Sequence, residues 1–254
     1  MYFYKKTEGS FLWSFFTYFF IAVLITPLVF ICSHLVSSNT PVAERILSAF
    51  LPVYIKNTAI ILFFTLCICL LIGFACAYLL TFYDFAGKKL FSFLVILPFA
   101  VPSYIFAYIY NDFFGYGGML YHFCNRIFGI PFHMDIMNIG GTVFVLSCAF
   151  YPYAYLILRG YMKRLDSTLL DSAASLGAGP LKVLFAVIIP VSYPAILSAA
   201  LLITMECLNA FGVPSYFGVQ VFSTGIYQAW ISYQDMTAAL KLSFILLVGI
   251  TLLA

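Results

Sequence analysis

The chain has 254 residues, of which 64% are hydrophobic and 8% are charged, and its mean hydropathy is +1.06. Soluble domains carry roughly 25% charged residues, so this composition excludes an ordinary soluble globule and predicts a multi-pass protein of the lipid membrane. The formal net charge of +3 is explained by basic residues in cytoplasmic loops, and we expect no nucleic-acid binding.

Six apolar windows follow one another along the chain, each measured against the roughly 20 residues that a helix needs to cross about 30 Å of hydrocarbon. They lie near residues 11–33, 55–81, 90–110, 139–158 and 184–211, and a sixth runs from Ala238 to Ala254. Alternation with period two is absent, which predicts helices rather than barrel strands. We expect an all-α protein with about six transmembrane helices, the last one truncated. Residues 1–54 would form an N-terminal helix and outer loop, and 55–254 a transmembrane domain that is incomplete at its C-terminal end.

The basic residues predict which loops face the cytoplasm. If the N-terminus is cytoplasmic, inner segments hold eight Lys and Arg residues and outer segments hold four. Because cytoplasmic loops are enriched in Lys and Arg, this distribution favours a cytoplasmic N-terminus. The inner set is Lys5, Lys6, Lys88, Lys89, Arg159, Lys163, Arg164 and Lys182, and the outer set is Arg45, Lys56, Arg126 and Lys241.

Two prolines, Pro98 and Pro102, lie four residues apart in the third window, and we expect them on one face of that span. A proline removes a backbone donor and leaves a carbonyl group without its helical partner, which a membrane tolerates where a neighbour or a cavity satisfies that group. The pair predicts either a kink that improves packing or a bend that lines a translocation route.

The stretch "LLDSAASLGAGPLKVLFAVIIP" (Leu169–Pro190) lies in the predicted cytoplasmic connection between the fourth and fifth spans. Ser167 is a suitable N-cap for a short helix that Gly177 and Gly179 can end, and Pro180 can open the next element. Small side chains such as Ser172 and Ala173 let another surface approach the helix backbone closely. The segment could lie on lipid headgroups as an amphipathic connector, but the glycine break favours docking of a cytoplasmic partner.

Glu206 is the only acidic residue well inside a predicted span. A charge at mid-membrane costs about 2.5–3.5 kcal/mol on insertion scales, so such a residue usually faces the interior of a helix bundle. Asn209 follows three residues later, on nearly the same helix face. The pair predicts either a gate or pathway role or a structural hydrogen bond.

We expect no metal site. Three tyrosines and one tryptophan crowd the outer segment after Phe211, and although phenolate oxygens suit ferric iron, an interfacial aromatic belt explains them more simply. The histidines are well separated and the seven cysteines form no CxxC pair, so neither has the spacing of a ligand set. The residues concerned are Tyr216, Tyr227, Trp230, Tyr233, His34, His122 and His133.

The Leu169–Pro190 stretch resembles the signature loop of permease subunits in binding-protein-dependent ABC importers. That pattern reads Glu-Ala-Ala, three residues, Gly, nine residues, then Ile-x-Leu-Pro. In this chain Asp replaces Glu, Ser replaces the first Ala, and Val and Ile replace the last two aliphatic residues, whereas the spacing is unchanged. The matching positions are Asp171, Ser172, Ala173, Gly177, Val187, Ile189 and Pro190.

Three further segments resemble ferric-iron-type permeases in particular: "LPFAVPSYIFAYIY" (Leu97–Tyr110), "YPYAYLILRG" (Tyr151–Gly160) and "MECLNAFGVPSYFGVQVFSTGIYQAW" (Met205–Trp230). The resemblance covers roughly 58–254 and implies a type I, MetI-like permease fold, with this chain as the N-terminal half of a two-half permease. Ferric iron is then the expected solute. Permeases for thiamine, polyamines and phosphonates are relatives and remain alternatives.

The resemblance also implies a division of labour among subunits. Asp171, Ser172, Ala173, Gly177 and Pro190 would belong to a coupling segment seated on a cytoplasmic ATPase dimer. The chain has no Walker A sequence, so we expect it to be no enzyme and to bind no cofactor, with ATP and Mg²⁺ on the ATPase. The other expected partners are a second permease half and an extracytoplasmic solute-binding protein, in a bacterial-type plasma (inner) membrane.

Two other classes of membrane protein, secondary transporters and membrane enzymes, have sequence features of their own. A secondary transporter would show ion sites near the midplane and inverted repeats, and only Glu206 resembles such a site. A membrane enzyme would need clustered His, Asp or Ser residues at a membrane face, and the sequence shows no such cluster. Both classes therefore fit the sequence less well than a permease does.

Overall fold

The computed structural model describes residues 10–33, 40–130, 132–165, 172, 173, 175 and 177–253, and every regular element in these ranges is helical. The α-helices are α1 (Ser10–Ser33), α2 (Pro41–Arg45), α3 (Leu51–Phe82), α4 (Lys88–Leu94), α5 (Ser103–Phe114), α6 (Met119–Phe128), α7 (Ile139–Met162), α8 (Pro180–Val183), α9 (Ile189–Val191), α10 (Tyr193–Asn209), α11 (Gly212–Tyr216), α12 (Phe222–Tyr227) and α13 (Met236–Leu253). A 3₁₀ turn occupies Leu97–Ala100, and π turns occupy Ile46–Phe50, Leu184–Ile188 and Gln228–Ser232.

Four helical segments are long and apolar enough to cross a membrane: Trp13–Ser33, Ala43–Phe82, Ile139–Met162 and Tyr193–Tyr216. A fifth span results if the bent pair Lys88–Ala100 and Ser103–Phe128 is counted as one. The sixth predicted window forms the shorter apolar helix Met236–Leu252. The expectation of about six transmembrane helices therefore corresponds to four long helices, one broken pair and one short helix.

The third window is broken in two rather than being one kinked span with both prolines on one face, as we expected. Its two arms meet at 102°, because the helical path stops at Ala100 and resumes at Ser103. Val101 between them is extended, with φ −112° and ψ 125°. The ring of Pro102 disfavours helical backbone in the residue before it, which explains the break. Pro98 and Pro102 consequently do not share a helix face, and that part of the prediction is wrong.

The fifth window is also divided. Helix α9 ends before Ser192, which is the N-cap of α10, and Pro194 lies in the first turn of α10. A proline in a first turn is tolerated because its missing N–H would have no helical acceptor there. The window thus consists of the short helical segment Pro180–Val191 and the separate span that begins at Tyr193.

The chain forms two compact units, one comprising Leu51–Thr224 with Leu253–Ala254 and the other comprising Met1–Phe50 with Gly225–Leu252. In the larger unit α7 is the most buried long helix and packs against both α3 and α10. The approach of α3 is very close: a Cβ on Gly73 would lie 2.9 Å from the backbone nitrogen of Tyr155 and would clash with the Ala154 methyl group. Small residues at such positions allow helices to pack in a membrane.

In the smaller unit, two helix caps are joined to each other. The Asp235 carboxylate accepts a hydrogen bond from the Ala238 N–H at 3.0 Å and so caps α13. The Thr40 hydroxyl accepts one from the Ala43 N–H at 3.1 Å and caps α2. The same hydroxyl donates to Asp235, so one side-chain pair fixes the start of both helices.

Candidate functional site

A cavity of about 410 Å³ lies beside the break in the third window, within the larger unit. Its wall combines the broken segment 98–104, one face of α7 and the end of α10. The lining residues are Pro98, Phe99, Ala100, Val101, Pro102, Ser103, Tyr104, Ala149, Phe150, Tyr153, Glu206, Asn209, Ala210 and Phe211. A space of this size is within the usual range of small-molecule sites.

All four residues that the sequence nominated for a pathway line this one cavity: Pro98, Pro102, Glu206 and Asn209. The two prolines reach it from the break rather than from a shared helix face. Glu206 is half-buried and Asn209 is exposed, and both lie in the last turn of α10. The fold therefore brings together residues that are more than 100 positions apart in sequence.

The local backbone holds the break in a defined shape. The Val101 N–H donates to the Pro98 carbonyl at 3.1 Å, and the Ile105 N–H donates to the Pro102 carbonyl at 3.0 Å. On the opposite side, a Cβ on Gly212 would come within 2.7 Å of the Tyr104 Cβ. Glycine at this position lets the start of α11 lie directly against the start of α5.

Aromatic side chains make up much of the wall and were not predicted from the sequence. The Tyr153 ring packs edge-on against Phe99 at 5.0 Å and against Phe150 at 6.0 Å between ring centres. The Tyr153 phenol also interacts with the Glu206 carboxylate. A signal was present, since Tyr153 is a polar aromatic residue within an apolar span, but only the fold shows that it meets Glu206.

The predicted coupling segment is described at several of its positions. Ser172, Ala173 and Ser175 are helical, and the serines are exposed. The Ala178 N–H donates to the Ala173 carbonyl at 3.1 Å, and Gly177 has φ +75°. This is the Schellman arrangement that ends a helix with a left-handed glycine, as predicted for Gly177. Asp171 and the expected N-cap Ser167 lie outside the described residues.

After this segment the next helix begins where the sequence predicts. Gly179 is the N-cap of α8 and Pro180 lies in its first turn. The Val183 N–H donates to the Gly179 carbonyl at 3.0 Å. Pro190 lies further on in α9, close to the break at Ser192, and is exposed.

Two side chains near the end of α7 form hydrogen bonds with α4 and with the last residue of α9. The Tyr161 hydroxyl donates to the Val191 carbonyl at 2.9 Å, immediately before α10. The Arg159 guanidinium donates through Nη2 to the Ser92 hydroxyl of α4 at 3.0 Å, and through Nη1 to the Tyr155 hydroxyl. Helix α4 leads to the break, and α10 carries Glu206 and Asn209. Neither Arg159 nor Tyr161 was nominated from the sequence.

Of the outer aromatic residues, Tyr216 packs within the protein and the other three are exposed. Tyr216 accepts a hydrogen bond from the Asn111 amide at 3.1 Å, and its ring lies 4.3 Å from that of Tyr108. Tyr227, Trp230 and Tyr233 are exposed. Within the described ranges, no group of three or more His, Cys, Asp and Glu side chains is arranged to hold a metal ion. His34 lies outside those ranges.

Known proteins resemble the chain in sequence. A family model described as "binding-protein-dependent transport system inner membrane component" matches residues 69–254. The Fe(3+)-transport system permease protein of Haemophilus influenzae is 31% identical over 170 residues, which are 66% of this chain and 30% of that protein. The putative 2-aminoethylphosphonate transport system permease protein of Salmonella choleraesuis is 27% identical over 194 residues, 74% and 68% of the two chains.

A third relative, the spermidine/putrescine transport system permease protein of Haemophilus influenzae, is 32% identical over 156 residues, or 59% of this chain and 53% of that protein. The chain thus spans between 30% and 68% of the length of these curated relatives.

Solved structures resemble the chain in fold. A chain of the bacterial alginate ABC transporter, crystallised with an alginate pentasaccharide-bound periplasmic protein, matches with a TM-score of 0.77 at 16% identity, covering 97% of this chain and 92% of that one. A chain of the inward-facing methionine ABC transporter matches with a TM-score of 0.61 at 15% identity, covering 78% and 88%. The predicted all-α, MetI-like permease fold is confirmed.

Proposed function

The chain belongs to the family of binding-protein-dependent transport system inner membrane components, and from this premise we propose that it forms the wall and the coupling segment of an ATP-driven solute importer. Solute would be received from an extracytoplasmic binding protein and released to the cytoplasm. The observation that carries the proposal is the cavity at which Pro98, Pro102, Glu206 and Asn209 converge, joined to the coupling segment by α7.

The coupling segment would be the contact with the ATPase dimer. Its helix exposes small polar side chains at Ser172 and Ser175, and the left-handed Gly177 turns the chain away immediately afterwards. Such a surface allows a partner to approach closely. ATP and Mg²⁺ would act on the ATPase, because this chain has no Walker A sequence.

The contacts of α7 give a route by which movement of the coupling segment reaches the cavity. The Tyr161–Val191 hydrogen bond leads to α10, and the Arg159–Ser92 hydrogen bond leads through α4 to the break. When ATP closes the ATPase dimer, both walls of the cavity would shift with the segment. Together with a second permease half, this shift would expose the cavity alternately to the two sides of the membrane.

Ferric iron is the proposed solute, supported by the 31% identity to the ferric permease of Haemophilus influenzae. A phosphonate is the second candidate, because the match to the 2-aminoethylphosphonate permease extends over 194 residues and covers 68% of that relative. Stimulation of ATPase activity separates these candidates. The chain would be reconstituted with its ATPase and binding protein and supplied with ferric iron, 2-aminoethylphosphonate, spermidine or thiamine.

We expect ferric-loaded binding protein to stimulate hydrolysis most strongly. Stimulation by 2-aminoethylphosphonate instead would support the importer function but identify a phosphonate, rather than ferric iron, as the solute. Failure of the chain to co-purify with any ATPase would count against the importer itself, and would favour a secondary transporter.

A further inference from the structure

The cavity beside the helix break carries one formal charge, and that charge is negative. Of the described residues that line it, Glu206 is the only acidic one and none is basic. The other polar groups of the wall are the uncharged side chains of Ser103, Tyr104, Tyr153 and Asn209. The electrostatic character of the cavity is therefore set by a single carboxylate on α10.

A lone carboxylate in such a place favours one class of solute. Acidic side chains line routes that pass cations, whereas Arg and Lys line routes that pass anions. An ionisable residue inside a membrane is costly, so it marks a pathway more often than an inert position. Aromatic rings such as Phe99 and Tyr153 add to this preference, because ring faces attract cations.

The partial charges at the helix ends beside the cavity do not reverse the negative potential that Glu206 sets. The N-terminus of α5 begins at Ser103 and carries roughly half a positive elementary charge, and the C-terminus of α10 ends at Asn209 with roughly half a negative one. These partial charges oppose each other. The formal charge of Glu206 therefore decides which ions the cavity attracts.

We infer that the route admits positively charged solutes and disfavours anions, with Glu206 as the residue that makes the distinction. The inference rests on the proposed function, since it takes the cavity to be part of the solute route. It covers a ferric ion and an organic polycation alike, and it excludes a doubly negative solute such as sulfate.

The charge preference can be measured without transport. A cysteine introduced by Asn209→Cys would be modified by two methanethiosulfonate reagents of similar size, one bearing a quaternary ammonium group and the other a sulfonate. Labelling of the peptide that contains position 209 would be followed by mass spectrometry in the assembled complex. The buried native Cys207 lies in the same peptide, so fragment ions of that peptide would assign the modification to position 209.

The ratio of cationic to anionic labelling rates is expected to be about a hundredfold above the same ratio on free cysteine in solution, because the carboxylate speeds the cationic reagent and slows the anionic reagent by about tenfold each. That factor follows from one charge about 6 Å away at an effective dielectric constant of about 40. Adding Glu206→Gln should return the ratio to its solution value, and adding Glu206→Asp should preserve it. Equal rates with the two reagents, or a preference that survives Glu206→Gln, would overturn the inference.

Uptake then distinguishes this inference from the proposed function, and also separates the two kinds of cation. Proteoliposomes of the complete complex would be offered ferric-loaded binding protein, spermidine or sulfate. ATP-dependent uptake of ferric iron or of spermidine supports the inference. It also shows whether the transported cation is a metal ion or an organic polycation. Uptake of sulfate alone would overturn the inference while the importer stands. A cationic labelling preference without ATP-dependent uptake of any of these solutes, or of 2-aminoethylphosphonate or thiamine, would overturn the importer instead.

Glu44→Gln serves as the matched control. Glu44 is an exposed carboxylate in α2, outside the cavity. The same loss of one negative charge at that position should leave the labelling ratio at position 209 unchanged. A change of similar size would show that the ratio reports net charge rather than the cavity, which would remove the support for Glu206.

Discussion

Gly73 and Gly177 are both constrained positions, for different physical reasons. At Gly73 the constraint is space, because α3 lies directly against Ala154 and Tyr155 of α7. At Gly177 space is open, since nothing would lie within 4 Å of an added Cβ, and the constraint is the left-handed backbone. Substitution of the two glycines is therefore expected to have different consequences.

Gly73→Val is expected to lower the stability of the protein. The added side chain must displace α3 from α7, and overpacking of this kind costs about 1–3 kcal/mol. Thermal unfolding in detergent would measure the effect. Gly160→Ala is the control, because Gly160 lies in α7 with nothing within 4 Å of an added Cβ. A Gly73→Val protein as stable as the control would contradict the close packing of α3 and α7.

Gly177→Val is expected to leave the protein inserted in the membrane but to uncouple ATP hydrolysis from uptake. A β-branched residue in left-handed backbone costs roughly 1–2 kcal/mol, so the end of the coupling helix should rearrange. Solute taken up per ATP hydrolysed is the measurement. Gly179→Ala is the matched control, because Gly179 has φ −67° and nothing within 4 Å of an added Cβ. Unchanged coupling in Gly177→Val would argue against the role of this turn.

Side-chain hydrogen bonds hold the end of α7 to α4 and to the last residue of α9. Tyr161→Phe removes only the hydroxyl that donates to Val191, and the loss of one such bond costs about 1 kcal/mol. We expect fewer solute molecules to be taken up per ATP, because α10 would follow the coupling segment less tightly.

Tyr193→Phe is the control for this variant, since Tyr193 is an exposed tyrosine at the start of α10. The ratio of uptake to hydrolysis should fall in Tyr161→Phe and stay unchanged in Tyr193→Phe. The same ratio in both variants would show that the Tyr161 hydroxyl plays no part in coupling.

Elements were predictable from sequence where local chemistry determines them. Gly177 as a helix end and Pro180 as a helix start follow from backbone preferences that act within a few residues. The break at Val101 was missed, because two prolines in an apolar window fit a kinked continuous span equally well. The meeting of Tyr153 with Glu206 could not be predicted either, since it depends on the packing of α10 against α7.

At the scale of the whole molecule, composition and the signature spacing predicted a membrane permease, and the family match over 69–254 agrees with them. The nature of the solute is less determined, because the relatives carry names that refer to ferric iron, a phosphonate and polyamines. Fold and subunit class depend on features spread along the chain, whereas the solute depends on a few side chains in one cavity.

We propose that the segment between α7 and α8 faces the cytoplasm and is held by a separate ATPase. Ser175→Cys would place a thiol on the exposed face of this segment, and a membrane-impermeant maleimide would report its side of the membrane through the labelled peptide. We predict labelling in inverted vesicles but not in intact cells, and protection when the ATPase subunit is bound. Labelling in intact cells would contradict the account.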